Sequence, residues 1–269
     1  MAPAPEGSFS SFVTPVTLAP NRYGFDFPDG WQTGKGLFGG LVVGALVRAL
    51  EASAGPSRPL RSITSELCGP TQPGSAEIHV ELLREGAAVS TLTARLVQDG
   101  KVQGHAVGVF GAARSDARKL TELRPLPQTD WRTIESIPVQ PPIGPAFARF
   151  YDFRPVSGLP FSGETKPTTS IWIRPKNPGP ARDAAFIAGC ADACWPTLFI
   201  IDEAPRPMAT IAFTMQLVSS LDGLDPDAPL FHVGRGVSVN DGYLVEFREL
   251  WGHDGRLVAL NQQTIAIVR

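Results

Sequence analysis

Asp192 is the single charged residue between Asp183 and Asp202, in a stretch that reads as a buried helix. An ionised carboxylate in apolar surroundings is costly unless it is paired or hydrogen-bonded, so one retained there points to a site. The competing reading is a helix-end cap, or a partly exposed residue near Pro196; the apolar flanks of Asp192 speak against the cap. Thr210 and Gln263 are its candidate partners. Thr210 lies near the start of a strand-like run from Ala209 to Val218, and Gln263 lies in the last apolar run, beside Leu260, Ile265 and Ile267. Each has an ordinary explanation by itself, because threonine is a good strand former and a strand glutamine usually faces water. Together an acid, a hydroxyl and an amide can hold one water molecule from several directions. That is the equipment for hydrolysis, in which a base within hydrogen-bond reach activates the water and preorganised donors meet the oxyanion. Gly39 and Gly40, at the start of another apolar helix, offer backbone N–H groups at a positive dipole end. Close helix–sheet packing accounts for the two glycines equally well.

Other chemistries lack their residues. There is no Gly-x-Ser-x-Gly elbow, and neither a Walker A motif nor a Rossmann fingerprint, so no cofactor is expected. Cys190 and Cys194 are four apart and share a face on a helix. With no histidine near in sequence and no second ligand pair, they read as small buried residues rather than metal ligands or nucleophiles. His79, His105, His232 and His253 are scattered and read as surface or loop residues. Arg61, Arg84, Arg95 and Arg235 are lone strand cations, and such residues are mostly solvated. The net charge of −2 gives no basic field for nucleic acid or an anionic membrane. No apolar run is expected to span a membrane, since Arg48 and Asp192 interrupt the two best. Met1 to Glu6 lacks the basic flank and apolar region of a signal peptide. Three cysteines make no disulfide framework, and the cytoplasm is the expected compartment.

The elements that must position these residues show a weak internal repeat. In the first half, Glu85-Gly86, Ser90 to Gln98, Asp99-Gly100 and Val102 to Phe110 read as turn, strand, turn, strand. In the second half, Asp241-Gly242, Tyr243 to Trp251, Asp254-Gly255 and Leu257 to Val268 read the same way. Asp-Gly supplies the positive φ of a tight hairpin, and Asp99-Gly100 and Asp254-Gly255 are expected to correspond. Each half also carries one apolar helix ahead of its strands, from Leu41 to about Ala54 and from about Asp183 to Trp195. A helix apolar on every face is buried on every side. Ile78, Val80 and Leu82 alternate with Glu77, His79 and Glu81, the pattern of a sheet with one wet face. Tyr23 to Phe27 and Val13 to Leu18 are expected to open the first repeat as strands, and Phe147 to Pro155 and Ser170 to Pro175 the second. The segment between the halves is rich in Pro, Arg and Gly and reads as a linker. The expected class is α+β, a double hotdog: two repeats, 1–113 and 147–269, each a central helix wrapped by a curved antiparallel sheet, with a Pro-rich linker at 114–146.

At this point a family resemblance becomes specific. Gly36-Leu37-Phe38-Gly39-Gly40-Leu41-Val42-Val43-Gly44-Ala45-Leu46 is similar to the start of the first helix in type II acyl-CoA thioesterases. Arg61-Ser62-Ile63-Thr64-Ser65, then Gly69-Pro70 and Pro73-Gly74, resembles their next strand and turn. Met208-Ala209-Thr210-Ile211 resembles the strand that carries their active-site threonine, and Gly255-Arg256-Leu257-Val258-Ala259 followed by Gln263 resembles the ending that carries their glutamine. Ala191-Asp192 falls where their active-site aspartate lies. The resemblance covers most of the chain except the linker. The best-known members place an Asp-His pair after the threonine, where Ala212-Phe213 stand here. It implies hydrolysis of a fatty or other acyl-CoA to free acid and CoA by a water held by Asp192, Thr210 and Gln263, a place in lipid metabolism, acyl-CoA as the partner, and a homo-oligomer. The alternative is a catalytically impaired hotdog protein that binds acyl-CoA or acts as a scaffold. A hotdog hydratase would need an Asp and a His at short spacing, and the histidine nearest Asp192 is His232.

Overall fold

The computed structural model describes residues 6–114, 120–123 and 129–268. Met1 to Pro5, and the linker stretches 115–119 and 124–128, lie outside the described residues. The chain begins with a short helix α1 (Phe9–Phe12), then β1 (Val16–Ala19), β2 (Arg22–Phe27), β3 (Gln32–Thr33), β4 (Gly36–Leu37) and the long helix α2 (Gly39–Ala54). Four strands follow: β5 (Leu60–Leu67), β6 (Gly74–Glu85), β7 (Val89–Gln98) and β8 (Lys101–Gly111). After 3₁₀ turns at Trp131–Thr133 and Ala146–Phe150 come β9 (Tyr151–Ser157), β10 (Thr168–Pro175), α3 (Ala184–Ala193), α4 (Leu198–Ile201), β11 (Met208–Leu217), β12 (Leu230–Asn240), β13 (Tyr243–Trp251) and β14 (Leu257–Ile267).

Twelve of these strands form one sheet in the order β1-β2-β6-β7-β8-β5-β11-β14-β13-β12-β10-β9. Read from its middle outward, the order is the same in both directions: β5 matches β11, β8 matches β14, β7 matches β13, β6 matches β12 and β2 matches β10. The halves join through β5 and β11, which pair antiparallel from Ser62↔Gln216 to Glu66↔Ala212. The two central helices lie side by side on the buried face of the sheet. Helix α2 can approach β8 closely because that strand turns Gly104, Ala106 and Gly108 inward; a Cβ on Gly108 would stand 3.2 Å from Leu50 Cδ1.

The two helices also approach each other through glycine, since a Cβ on Gly40 would lie 3.1 Å from Gly189 Cα. The ring of Phe9 in α1 covers this crossing, with its Cζ 2.6 Å from where Gly189 would carry a Cβ. Arg48, the charge that interrupts the apolar run of α2, reaches the helices around it. It pairs with Asp183, the residue that caps the N-terminus of α3, at 2.8 Å, and donates to Ser10 Oγ at 3.2 Å. Leu41 to Val47 are buried throughout, as an all-apolar helix requires.

Several expectations change. Asp99-Gly100 and Asp241-Gly242 are both two-residue tight turns, each with both residues at positive φ (51° and 72°; 50° and 82°), the type I′ requirement. Asp254-Gly255 joins β13 to β14 as Asp99-Gly100 joins β7 to β8, in keeping with the expectation, but in a five-residue loop, 252–256, where only Gly255 has positive φ. Leu82 was expected to face the core but is 49% exposed, at the point where β6 runs on beyond its buried stretch Ala76 to Val80, just before a register shift between Leu82 and Arg84. Phe147 belongs to a 3₁₀ turn and the strand starts at Tyr151; Val13 closes α1, and that strand starts at Val16. The second apolar helix stops at Ala193, with Cys194 extended at its C-cap and α4 resuming after Pro196. Cys194 therefore lies beyond the helix and does not share a helical face with Cys190. Residues Ala184–Ile201 do form an 18-residue stretch of mean hydropathy 1.7, long and apolar enough to cross a membrane by those measures, contrary to the expectation of no such run; 78% of it is buried inside the protein.

Candidate active site

Helix α2 begins without a side-chain cap, since its N-cap residue is Phe38. The first N–H groups of a helix have no intrahelical acceptor and concentrate the positive end of its dipole. Leu41 and Val42 both turn their N–H groups to Phe38 O, which leaves the amides of Gly39 and Gly40 facing outward from the helix start. The acceptor comes from the other half of the chain: the Gly40 N–H donates to the Asp192 carboxylate in the last turn of α3. Asp192 is thus a cap after all, but of the opposite helix. A Cβ on Gly39 would stand 2.7 Å from Asp192 Oδ2 and 2.9 Å from Leu67 Cδ1, so the carboxylate can take this seat only against glycine.

The expected partners converge on it. Gln263 Nε2 donates to Asp192 Oδ1 at 3.0 Å, and Thr210 Oγ1 donates to Gln263 Oε1 at 3.0 Å. Gln263 is fully buried; β14 turns Ala259, Asn261, Gln263 and Ile265 inward, so this strand glutamine does not face water. Thr210 reaches the site through an irregularity. On β11, Phe213 and Met215 point into the core, and regular alternation would send Ile211 in with them. A register shift between Thr210 and Ala212 against β14 moves the phase by one residue. Ile211 is left exposed and the Thr210 hydroxyl turns to Gln263. Bulges beside sites commonly re-aim a side chain in this way.

Burial pushes the Asp192 carboxyl above the ordinary carboxylate range. The Arg248 cation, the Gln263 hydrogen bond and the Gly40 N–H pull it down, and Glu246 adds a smaller upward push. The result is a carboxylate more basic than one in water and still anchored by two donors.

Three polar residues around this site were not singled out in the sequence. Asn261 Oδ1 accepts from Gln263 Nε2 at 3.2 Å, while Asn261 Nδ2 donates to Thr214 O at 2.8 Å. These bonds fix which way the Gln263 amide points, because a flipped amide would set its oxygen against both Asp192 and Asn261. Arg248 and Glu246, two apart on β13, form a buried ion pair beneath α3. The only sequence signal for them is a Glu-x-Arg pair at alternating positions in a run with apolar residues, which a wet-faced strand also shows. His232, expected at the surface, is 1% exposed in β12 with neither ring nitrogen hydrogen-bonded, and burial holds it well below its ordinary value, hence neutral. His105 stands on β8, bonded to Glu66 and Thr93 at 2.7 and 2.8 Å. Cys190 and Cys194 are buried, and burial pushes both thiols up, Cys194 to about 12, so neither is a thiolate at neutral pH.

Comparison with known proteins gives two family matches covering most of the chain. Residues 27–111 match the acyl-CoA thioesterase N-terminal domain, and residues 120–267 match the acyl-CoA thioesterase C-terminal domain. No curated protein matches the sequence. Among solved structures, a conserved protein of unknown function with a hot dog fold from Alicyclobacillus acidocaldarius superposes with a TM-score of 0.87 at 22% identity, over 97% of this chain and 98% of that one. An acyl-CoA thioesterase II, TesB2, from Mycobacterium marinum superposes with a TM-score of 0.76 at 17% identity, again over 97% and 98%. The tesB protein of Mycobacterium avium subsp. paratuberculosis gives 0.76 at 16% identity, with the same coverage. At these identities the likeness speaks to the fold, which is the hotdog fold.

Proposed function

The chain belongs to the acyl-CoA thioesterase family and is a thioester hydrolase, and from that premise we propose that it hydrolyses acyl-CoA to free acid and CoA with a water activated by Asp192. The observation that carries this reading is the hydrogen-bonded run Asp192–Gln263–Thr210 at the N-terminus of α2. The palindromic sheet is read as two hotdog repeats, 1–113 and 147–269, with 114–146 between them, and the site as a composite of both.

In the proposed reaction Asp192 accepts a proton from the water, whose oxygen attacks the thioester carbonyl. Burial suits Asp192 to this role by raising its basicity. The Thr210 hydroxyl donates to Gln263, so its oxygen lone pair accepts the second proton of the water and fixes its orientation. The carbonyl oxygen takes up negative charge and is met by the Gly39 N–H at the positive end of α2. Gly40 serves differently from the sequence expectation: its N–H is spent on Asp192. The tetrahedral intermediate then collapses, the C–S bond breaks, and CoA leaves as a thiolate that takes the proton held by Asp192.

A thiol-release assay across acyl-CoA chain lengths tests the proposal. Turnover of at least one chain length by the wild type, lost in Thr210→Val and Gln263→Leu, is the expected result. Acyl-CoA binding by a folded wild type with no thiol release at any chain length would replace the hydrolase reading with that of a binding or scaffolding protein. Ala212-Phe213, where the best-known members of the family carry Asp-His, is the feature that favours this second reading.

A further inference from the structure

The buried ion pair beneath α3 stands where packing alone would call for apolar side chains. Arg248 is 2% exposed and Glu246 fully buried, in the middle of a strand whose other inward residues, Leu244 and Leu250, are apolar. The matching strand of the first half, β7, turns Leu92, Ala94 and Leu96 inward. Apolar residues of similar size in place of a buried ion pair are often neutral or stabilising, so the charges by themselves are not what packing requires; what the pair adds is its hydrogen bonds.

Its contacts lead to Asp192. Arg248 Nη1 donates at 2.6 Å to the carbonyl of Ala191, the residue next to Asp192. Glu246 Oε1 accepts from Arg248 Nε at 2.6 Å, which fixes the guanidinium, and its Oε2 accepts from the N–H and hydroxyl of Thr197 at 2.9 and 2.8 Å. Glu246 is therefore held in turn by the start of α4. On the neighbouring strand, Glu246 stands across from Gln263 and Arg248 across from Asn261. The pair thus touches both the backbone that carries Asp192 and the strand that carries Gln263. We propose that Arg248 is a positioning residue for hydrolysis: it anchors the last turn of α3 through Ala191 O and sets a cation beside Asp192, with Glu246 fixing its orientation.

The electrostatic part can be enumerated. Asp192 is faced by Arg248 and Glu246 from β13, by the uncharged Gln263 from β14, by the Gly40 N–H from α2 and by Tyr151 from β9; the thiols of Cys190 and Cys194, two residues away on either side in sequence, are protonated. Arg248 is the one cation in that set, and it draws the carboxyl downward. Without it Asp192 would stay protonated to a higher pH and act as a base over a narrower range.

The inference rests on the hydrolase reading, and the test separates the two. The pH dependence of kcat/KM for acyl-CoA thiol release and the melting temperature are measured for the wild type, Arg248→Lys, the double variant Arg248→Met with Glu246→Met, and Asp192→Asn. In the double variant the melting temperature is expected to fall, because the Ala191 carbonyl and the Thr197 N–H lose their partners, while in the folded variant the acid limb moves up by about one pH unit, a tenfold loss on the acid side. Arg248→Lys keeps a charge but lacks the fork that reaches Ala191 O and Glu246 together, so its limb stays near wild type and its plateau falls. A folded double variant with the wild-type limb and plateau would overturn the inference. Where the double variant does not fold, Arg248→Lys decides, and wild-type behaviour there overturns it. Asp192→Asn turning over like wild type would instead sink the assignment of Asp192 as the base, and this inference with it, while no thiol release by the wild type would sink the hydrolase reading itself.

Discussion

The Asp192 carboxyl is held above its ordinary range by burial, and the sign of that shift has a consequence for stability. A carboxyl whose folded value is raised contributes stability while protonated, below its unfolded value, and loses it as pH rises through the folded value. Ionisation of Asp192 therefore costs stability as pH rises, and the melting temperature of Asp192→Asn relative to wild type is expected to climb with pH, by about 2–4 °C once Asp192 is ionised; differential scanning calorimetry across the pH range measures this. Gly39→Ala tests the seat of the carboxylate. The new Cβ would stand 2.7 Å from Oδ2, so the carboxylate must move, and displacements of that order cost about a hundredfold in rate. The expected outcome is a folded variant with kcat lowered to that extent, and wild-type kcat would show that the seat does not matter. Asp192 was legible in the sequence because a lone charge in an apolar helix stands out. Thr210 and Gln263 were ordinary strand residues until the family pattern and their place beside Asp192 gave them a role. Asn261, Arg248 and Glu246 were not legible, because which face of β13 and β14 is buried depends on helix α3 lying over them, a contact made across about sixty residues of chain.

At the level of elements, the apolar run of α2 foretold its burial, but not what its single acid would meet. Glu51 lies near the Arg48–Asp183 pair, and burial, with a further push from Asp183, raises it to about 7 against the downward pull of Arg48. Its folded value lies above the unfolded one, so stability is expected to fall as pH rises from about 4.5 through 7 and then level off. Glu51→Gln should match wild type in melting temperature near pH 4.5 and exceed it at pH 8. Equal gains at both values would show that Glu51 does not titrate across this range. The crossing of α2 and α3 is the other constraint at this level. Gly189→Ala would press on Phe9 Cζ at 2.6 Å and Tyr151 Oη at 3.0 Å, and such overpacking costs about 1–3 kcal/mol; denaturant unfolding gives the value. The register shift at Thr210 had no signature in the sequence. A bulge is set by how two strands meet, and the run Met208 to Leu217 has no glycine or proline to announce it.

The whole molecule is one sheet wound on two helices, with the catalytic candidates drawn from both halves: Asp192, Thr210 and Gln263 from one, and the N-terminus of α2 from the other. Because β5 and β11 pair along the join and α2 packs against α3, the halves are expected to unfold together, in a single calorimetric transition with calorimetric and van't Hoff enthalpies in agreement. Two resolved transitions would mean that the join contributes little. The repeat was visible in the sequence at the hairpins of each half. The pairing of turns was legible too, since Asp99-Gly100 and Asp254-Gly255 join matching strands, but the longer loop at 252–256 was not, because residue type alone does not set loop length. The central claim is that Asp192 activates the hydrolytic water. It is tested most directly by CoA thiol release from the best acyl-CoA substrate by wild type and Asp192→Asn, with the melting temperature of each recorded in the same buffer. The expected result is a loss of at least about a hundredfold in kcat, in a variant that melts no lower than wild type. A folded Asp192→Asn with wild-type turnover would contradict it.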